Sequence, residues 1–392
     1  MGKRNRFGPG FLVAAAFIGP GTITSATLAG ARFGFGLIWV VIIATLAAIV
    51  LQEMVGRFSL STGLDVASAL VKLSKKKWVK YMFQILAFAA IIVGCAAYEA
   101  GNIIGGSLGL NMLTGLDVAV WSVVISFTAA LLLIWKNYKL IERLLIGLVV
   151  LMGLSFFLSA MIVGPSVNEL LKGFVPRIPK DSLILILALL GTTVVPYNLF
   201  LHSATILKKW KNHRDISWMR KDTLLSIGLG GAITISVIVT ASIAFYSKNV
   251  IIENPVDLSL QLSPLYGGKL ARLFFGIGFF SAGLTSAITA PYAAAWTAAG
   301  LFGWKEKGWK FSLVFLFVIG FGVVASLTAL RPLQMIILAQ VTNALLLPVV
   351  SVFIFYLLNK KEVGLYRNSL LQNIVFLIVF LIVVLINIKK FI

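Results

Sequence analysis

The chain has 392 residues, 59% of them hydrophobic, with a mean hydropathy of +1.00 and a formal net charge of +21. This composition excludes a soluble globule, and the long continuous apolar runs exclude the alternating ten-residue strands of a transmembrane barrel. A nucleic-acid role is set aside because the basic residues cluster in short loops between apolar runs, as orientation signals do, which makes the lipid bilayer the expected partner.

From the N-terminus onward, the runs predict eleven membrane spans, near 10–32, 37–58, 81–108, 117–135, 143–163, 182–206, 223–246, 268–301, 310–329, 332–357 and 367–388. The fold class expected is an all-α polytopic membrane protein with no soluble domain. Lys3, Arg4 and Arg6 precede span 1, and no small-residue cleavage site follows a short apolar core, so span 1 is expected to be retained. Every second loop is rich in Lys and Arg. Loop 2–3 carries Lys72, Lys75, Lys76, Lys77 and Lys80. Loop 4–5 carries Lys136, Lys139 and Arg143. Loop 6–7 carries Lys208, Lys209, Lys211, Arg214, Arg220 and Lys221, loop 8–9 carries Lys305, Lys307 and Lys310, and loop 10–11 carries Lys360, Lys361 and Arg367. The alternation predicts a multi-pass protein of the plasma or inner membrane, N-terminus cytoplasmic and C-terminus outside.

Eleven spans read as ten plus one: two five-span halves inserted in opposite directions, over 1–163 and 182–357, with an extra span at 367–388. Spans 1 and 6 are then equivalent, and both are interrupted. Span 1 contains Gly19-Pro20-Gly21-Thr22, and span 6, "LLGTTVVPYNLFLHSAT", contains Gly191 and Pro196. Proline removes an N–H and glycine tolerates open backbone, so both spans break at bilayer depth. Open backbone there is tolerated only against protein or a water-filled cavity. Two matched breaks flanked by Thr, Ser and Asn therefore point to a binding site at the midplane.

The residues around these breaks resemble the Nramp family of divalent-metal transporters along nearly the whole chain. "GPGFLVAAAFIGPGTITSATLAGARFGFGLIWV" is similar to that family's first span and following loop, and "LLGTTVVPYNLFLHSA" to its sixth span. "NIIGGSLGLNML", "FFSAGLTSAITAPYAAAWTAAG" and "ILAQVTNALLLP" are similar to its third, eighth and tenth. The resemblance implies a LeuT-type inverted repeat, secondary-active transport by alternating access, a cation cargo and proton symport. The family's Asp-Pro-Gly-Asn motif, whose Asp and Asn hold the metal, falls here on Gly19 and Thr22. Its Met-Pro-His motif, whose Met sulfur is a soft ligand, falls on Val195-Pro196-Tyr197. Its carbonyl ligands map to Ala16 and Thr192. Its span 3 acids map to Glu99 and Asn102, its span 10 glutamine to Gln340, and its span 6 histidine to His202.

The altered positions leave neutral oxygen donors. A divalent cation at the midplane needs compensating charge, transition metals favour carboxylate or imidazole, and Mg²⁺ keeps several waters. Three readings stand open at this stage. A hard or hydrated cation would be held by Thr22, Thr192, Thr193, Tyr197, Asn198, Gln340 and carbonyls, with Glu99 nearby. A small non-metal solute, an amino acid or amine, would use the half-helix N-terminus at Gly21-Thr22. The third reading is a non-transporting membrane receptor. Glu99 in "AAYEAGNIIG" is a carboxyl group inside an apolar span, which marks an ion or proton path. Asn102 shares its helix face, and His202 extends the polar route. Glu53 and Arg57, four apart, predict an ion pair at the inner end of span 2. Cys95 reads as a small packing residue. No nucleotide-binding, hydrolase or zinc-protease motif is present, so neither an enzyme nor a resident cofactor is expected.

Overall fold

In the computed structural model, the described residues are 8–10, 14, 18–135, 139–306, 308–328 and 331–388. Lys3, Arg4, Arg6, Ala16, Lys136 and Lys307 lie outside them. Among the described residues the regular structure is entirely helical. Among the described residues nine helical segments, the interrupted span 6 counted as one, are long and apolar enough to cross a membrane, and Leu370–Ile386 is a shorter apolar helix.

Helix α1 (Pro20–Phe33) covers the second half of span 1. Helix α2 (Ile38–Thr62) is followed by the short α3 (Val66–Lys72), whose N-cap Asp65 accepts from the Ser68 amide at 3.0 Å. Then come α4 (Lys77–Thr114), α5 (Val118–Trp135), α6 (Lys139–Val163) and the short α7 (Val167–Lys172). Span 6 divides into α8 (Leu183–Thr193) and α9 (Pro196–Lys209). The remaining helices are α10 (Ile216–Ala244), α11 (Ser263–Phe302), α12 (Trp309–Leu327), α13 (Pro332–Leu358) and α14 (Leu370–Ile388). The apolar runs locate these helices, while polar ends lengthen several of them. Helix α4 gains a turn at each end, because backbone pairing continues after the hydrocarbon stops. At 38 residues it is about 57 Å long against a hydrocarbon core of about 30 Å, so it tilts or projects.

Burial separates centre from rim. Nearly all residues in the apolar stretch of span 6 are buried, whereas only about a third are in those of α5 and α6. Span 6 is thus the middle of the molecule, and α5 and α6 present Phe127, Trp135 and Leu140 outward, as lipid contact requires.

Helices α4 and α11 cross through glycine. A side chain at Gly109 would stand 2.6 Å from the Gly276 carbonyl, and one at Gly106 would meet the Gly283 backbone at 3.4 Å. With no hydrophobic drive between helices in lipid, such close backbone approach is what holds spans together. The "GGSLG" of span 3 is therefore a packing motif, and it fixes the scaffold against which the broken helices lie.

Candidate functional site

The two breaks are built alike. Gly19 is extended (φ −100°, ψ −175°) and Pro20 opens α1. In span 6, Val194 (φ −107°, ψ 76°) and Val195 (φ −81°, ψ 121°) leave the helix, and Pro196 opens α9. Proline at a first helical position forfeits no hydrogen bond, so each half-helix restarts there without loss. Gly191 lies inside α8 rather than in the interruption. Its lack of a side chain serves packing: a Cβ would overlap the Gln340 carbonyl of α13 and stand 2.7 Å from the Ala344 amide.

A hydrogen bond joins the breaks. Thr22 Oγ1 and Thr192 Oγ1 are 2.7 Å apart and fully buried. The other predicted groups gather around this pair. The Gln340 side-chain amide fills the space a Cβ at Gly21 would need, and Gln340 Nε2 donates to the Ile336 carbonyl at 3.3 Å. A Cβ at Gly105 would run into the Pro20 ring, so α4 presses on the first break. Thr193 is turned back on its own helix, donating to the Leu189 carbonyl at 2.8 Å. Val195 and Asn198 are buried, and Tyr197 packs edge-on against Tyr98, ring centroids 5.5 Å apart.

Several buried polar atoms here have no hydrogen-bond partner: the hydroxyls of Tyr98 and Tyr197, both amide atoms of Asn198 and of Asn343, and Gln340 Oε1. Tyr98 and Asn343 are absent from the set expected on the sequence. Asn343 had a signal, since it is polar, inside an apolar span and three residues from Gln340, on the same helix face. Tyr98 was overshadowed by its neighbour Glu99.

Glu99 and Asn102 are together, Asn102 Nδ2 donating to Glu99 Oε2 at 3.4 Å, with Glu99 fully buried. The Glu99 stem packs on α12, where a Cβ at Gly322 would come within 2.7 Å of it. Consecutive residues lie about 100° apart around a helix. Tyr98 accordingly meets Tyr197 at the second break, while Glu99 packs its stem on α12 and still lies near Tyr197. His202 lies elsewhere again. It is buried, its Nε2 is 3.4 Å from Thr223 Oγ1, and it adjoins the Pro9 carbonyl. Among the described residues, no three His, Cys, Asp or Glu side chains are grouped to hold a metal ion. The midplane offers hydroxyls, amides and carbonyls.

The two ends of the site differ. At the end near His202, Asp222 of α10 accepts from the amides of Gly8 (2.9 Å) and Gly10 (2.6 Å). Arg57, 2% exposed, pairs with Glu53 at 3.0 Å, donates to Asn368 Oδ1 at 2.9 Å and also reaches the Tyr366 carbonyl. Arg220 joins Glu53 at 2.8 Å. This network ties α2 and α10 to the connection before α14. At the opposite end a cavity of about 660 Å³ opens between α1, α8 and α13, lined by Leu28, Arg32, Asp181, Glu253, Arg331 and Ile337. Leu28 is six residues along α1 from Thr22, so the cavity begins about 9 Å from the Thr22–Thr192 bond.

Comparison with known proteins agrees with this architecture. The divalent metal cation transporter MntH of Brucella suis biovar 1 is 28% identical over 376 residues, 91% of this chain and 81% of that one. MntH of Staphylococcus saprophyticus is 27% identical, covering 94% of this chain and 87% of its own. Among solved structures, a point mutant of the Eremococcus coleocola manganese transporter superposes with TM-score 0.78 at 20% identity, covering 98% of this chain and 85% of that one. MhsT in complex with L-phenylalanine superposes with TM-score 0.60 at 17% identity, covering 96% and 98%. These two likenesses show a LeuT-like fold. The family described as natural resistance-associated macrophage protein-like matches residues 10–392. A chain of apolar helices with paired midplane breaks, matched to this family over nearly its whole length, belongs to the Nramp family, whose members are membrane transporters and not enzymes.

Proposed function

We propose that this protein is a secondary-active transporter that carries a divalent cation by alternating access, with a hard ion such as Mg²⁺ preferred over soft transition metals. The observation that carries this reading is the Thr22–Thr192 bond, which brings the two helix breaks to one point and lines it with neutral oxygen. The relatives named as divalent metal cation transporters supply the cargo class. The hardness follows from the chemistry present. Gly19 and Val195 stand where the family pattern has Asp and Met, so the soft sulfur is gone and only oxygen donors remain.

The accompanying topology is eleven spans, a five-plus-five inverted repeat and span 11, in the plasma or inner membrane with the N-terminus cytoplasmic. The cavity beyond Leu28 is then the outer entrance, and the Asp222 clasp on Gly8 and Gly10 closes the inner side. Cargo entry separates Thr22 from Thr192, and release inward requires the clasp to open. Glu99, with Asn102 and His202, is the proton-coupling group. Its position toward α12 gives the proton a route along the scaffold, beside rather than through the breaks.

The test is uptake into proteoliposomes of purified protein, with Mg²⁺, Mn²⁺ and a small amino-acid panel. Mg²⁺ flux exceeding Mn²⁺ flux is expected. Amino-acid flux without cation flux would transfer the site to the solute reading, and no flux at all would favour a receptor.

A further inference from the structure

Resting on the cation reading above, we infer that Tyr98 and Asn343 are cargo-contacting residues. With Tyr197 and Asn198 they build a second resting position beside the breaks, and it receives the cation with its water shell in place.

Unmet hydrogen bonds mark the place. A polar group buried in apolar surroundings without a partner costs on the order of 1–3 kcal/mol, and native proteins rarely leave one so. Here four residues on three neighbouring helices do. Tyr98, Tyr197, Asn198 and Asn343 are each no more than 1% exposed, and their hydroxyl or amide atoms have no partner. A scatter of lone groups would mean little. These lie on helices that pack together around the second break, Asn198 following Tyr197 in sequence. Tyr98 and Tyr197 are in edge contact, and Tyr98 adjoins Thr192 without forming a hydrogen bond of normal geometry. A Cβ at Gly94, one turn from Tyr98 on α4, would come within 2.9 Å of Asn343 Oδ1. A Cβ at Gly101, on the same face in the other direction, would meet Ala339 at 3.3 Å and Gln340 Nε2 at 3.7 Å. The face of α4 carrying residues 94, 98 and 101 therefore holds small residues on both sides of one tyrosine. That spacing lets α13 lie close and turns Asn343 toward the same place.

The chemistry of the set defines the ligand. A bare dication needs carboxylate directly in its lining; none of these four residues carries one, and Glu99, the carboxylate near Tyr197, packs its stem on α12. Water bound to a cation is a strong donor and needs acceptors. Tyr98 and Tyr197 hydroxyl oxygens, Asn198 Oδ1, Asn343 Oδ1 and Gln340 Oε1 are five neutral acceptors without donors. Mg²⁺, which gives up its waters reluctantly, is the ion whose shell suits such a lining. The set leads from the Thr22–Thr192 bond along span 10 past Gln340 to Asn343, so a cation released from the breaks meets it next.

The experiment compares wild type with Tyr98→Phe and Asn343→Leu in proteoliposomes, and adds hexaamminecobalt(III), an exchange-inert mimic of a hexahydrated cation. We expect each substitution to raise KM for Mg²⁺ by about tenfold with kcat changed less than threefold. Hexaamminecobalt(III) should compete with Mg²⁺ in wild type and about tenfold more weakly in Tyr98→Phe. Thermal unfolding in detergent is the control. Because the Tyr98 hydroxyl lies beside Thr192 without a hydrogen bond of normal geometry, Tyr98→Phe should keep the wild-type melting temperature, and a fall of more than a few degrees would assign the hydroxyl a structural role and overturn the inference. Wild-type kinetics in both variants would overturn it as well. Competition by Mn²⁺ but not by hexaamminecobalt(III) would mean that the shell is shed, which refutes the water-shell recognition. If wild type moves no cation, the transport reading itself fails, a result distinct from all of these.

Discussion

At the scale of single residues, the proposed cation preference turns on what stands at four positions beside the breaks. Gly19, Thr22 and Val195 remove one carboxylate, one amide and one sulfur from the family pattern, while Gln340 is kept. If these side chains alone set the preference, restoring them should restore the metal. Gly19→Asp, Thr22→Asn and Val195→Met together are expected to bring Mn²⁺ binding into the micromolar range, measured by calorimetry on purified protein. Absence of binding would mean the pocket's shape has changed with its ligands. Glu99 is separable by the same logic. It is the one acid in α4 and is fully buried, so Glu99→Gln is expected to flatten the pH profile of uptake while leaving cation binding at fixed pH within about threefold. An unaltered profile would take the coupling role from Glu99. Thr22 and Glu99 were legible from the sequence because polar residues in apolar spans stand out, whereas Gly19, Val195 and Gln340 were singled out through the resemblance to the family motifs. Tyr98 was not, because a tyrosine in a span is ordinary and only burial without a partner distinguishes it.

At the scale of elements, proline decides where each broken helix restarts and glycine decides what lies against it. Gly21 and Gly191 both face Gln340 of α13, but differently. A side chain at Gly21 would meet a flexible amide, whereas one at Gly191 would meet backbone. Gly191→Ala is therefore expected to push α8 off α13 and to lower uptake at least tenfold. Gly228→Ala on α10, where a Cβ meets nothing within 4 Å, should behave as wild type. Equal activity of the two variants would refute the close-packing account of span 6. The Thr22–Thr192 bond is weaker. One neutral hydrogen bond contributes about 1 kcal/mol, small enough for cargo to break, as the proposed alternating access requires. The interruption itself was readable from Pro20 and Pro196. The role of Gly191 was not, since sequence cannot tell a glycine that opens backbone from one that admits a neighbouring helix.

At the scale of the whole molecule, the proposed orientation rests on charge asymmetry and the site rests on helix crossings. Lys75 and Lys180 are both exposed and lie in loops assigned to opposite sides. The chain's single cysteine, Cys95, is buried. In sealed cells, Lys180→Cys is expected to react with an impermeant maleimide and Lys75→Cys only after permeabilisation; the reverse pattern would invert the topology. Apolar length, proline and loop charge act locally along the chain, so the helices, their breaks and the class of protein can be read from the order of residues alone. Which polar groups share one site cannot, because that is settled by contact between distant segments. Thr22 and Thr192, 170 residues apart, meet at 2.7 Å. Tyr98 meets Tyr197 at the second break, while Glu99 packs its stem on α12. His202 keeps company with Thr223 and the Pro9 carbonyl instead of Glu99. Those partnerships depend on the angles at which helices cross, and the crossings are set by glycine contacts such as Gly109 on Gly276. No local pattern encodes them.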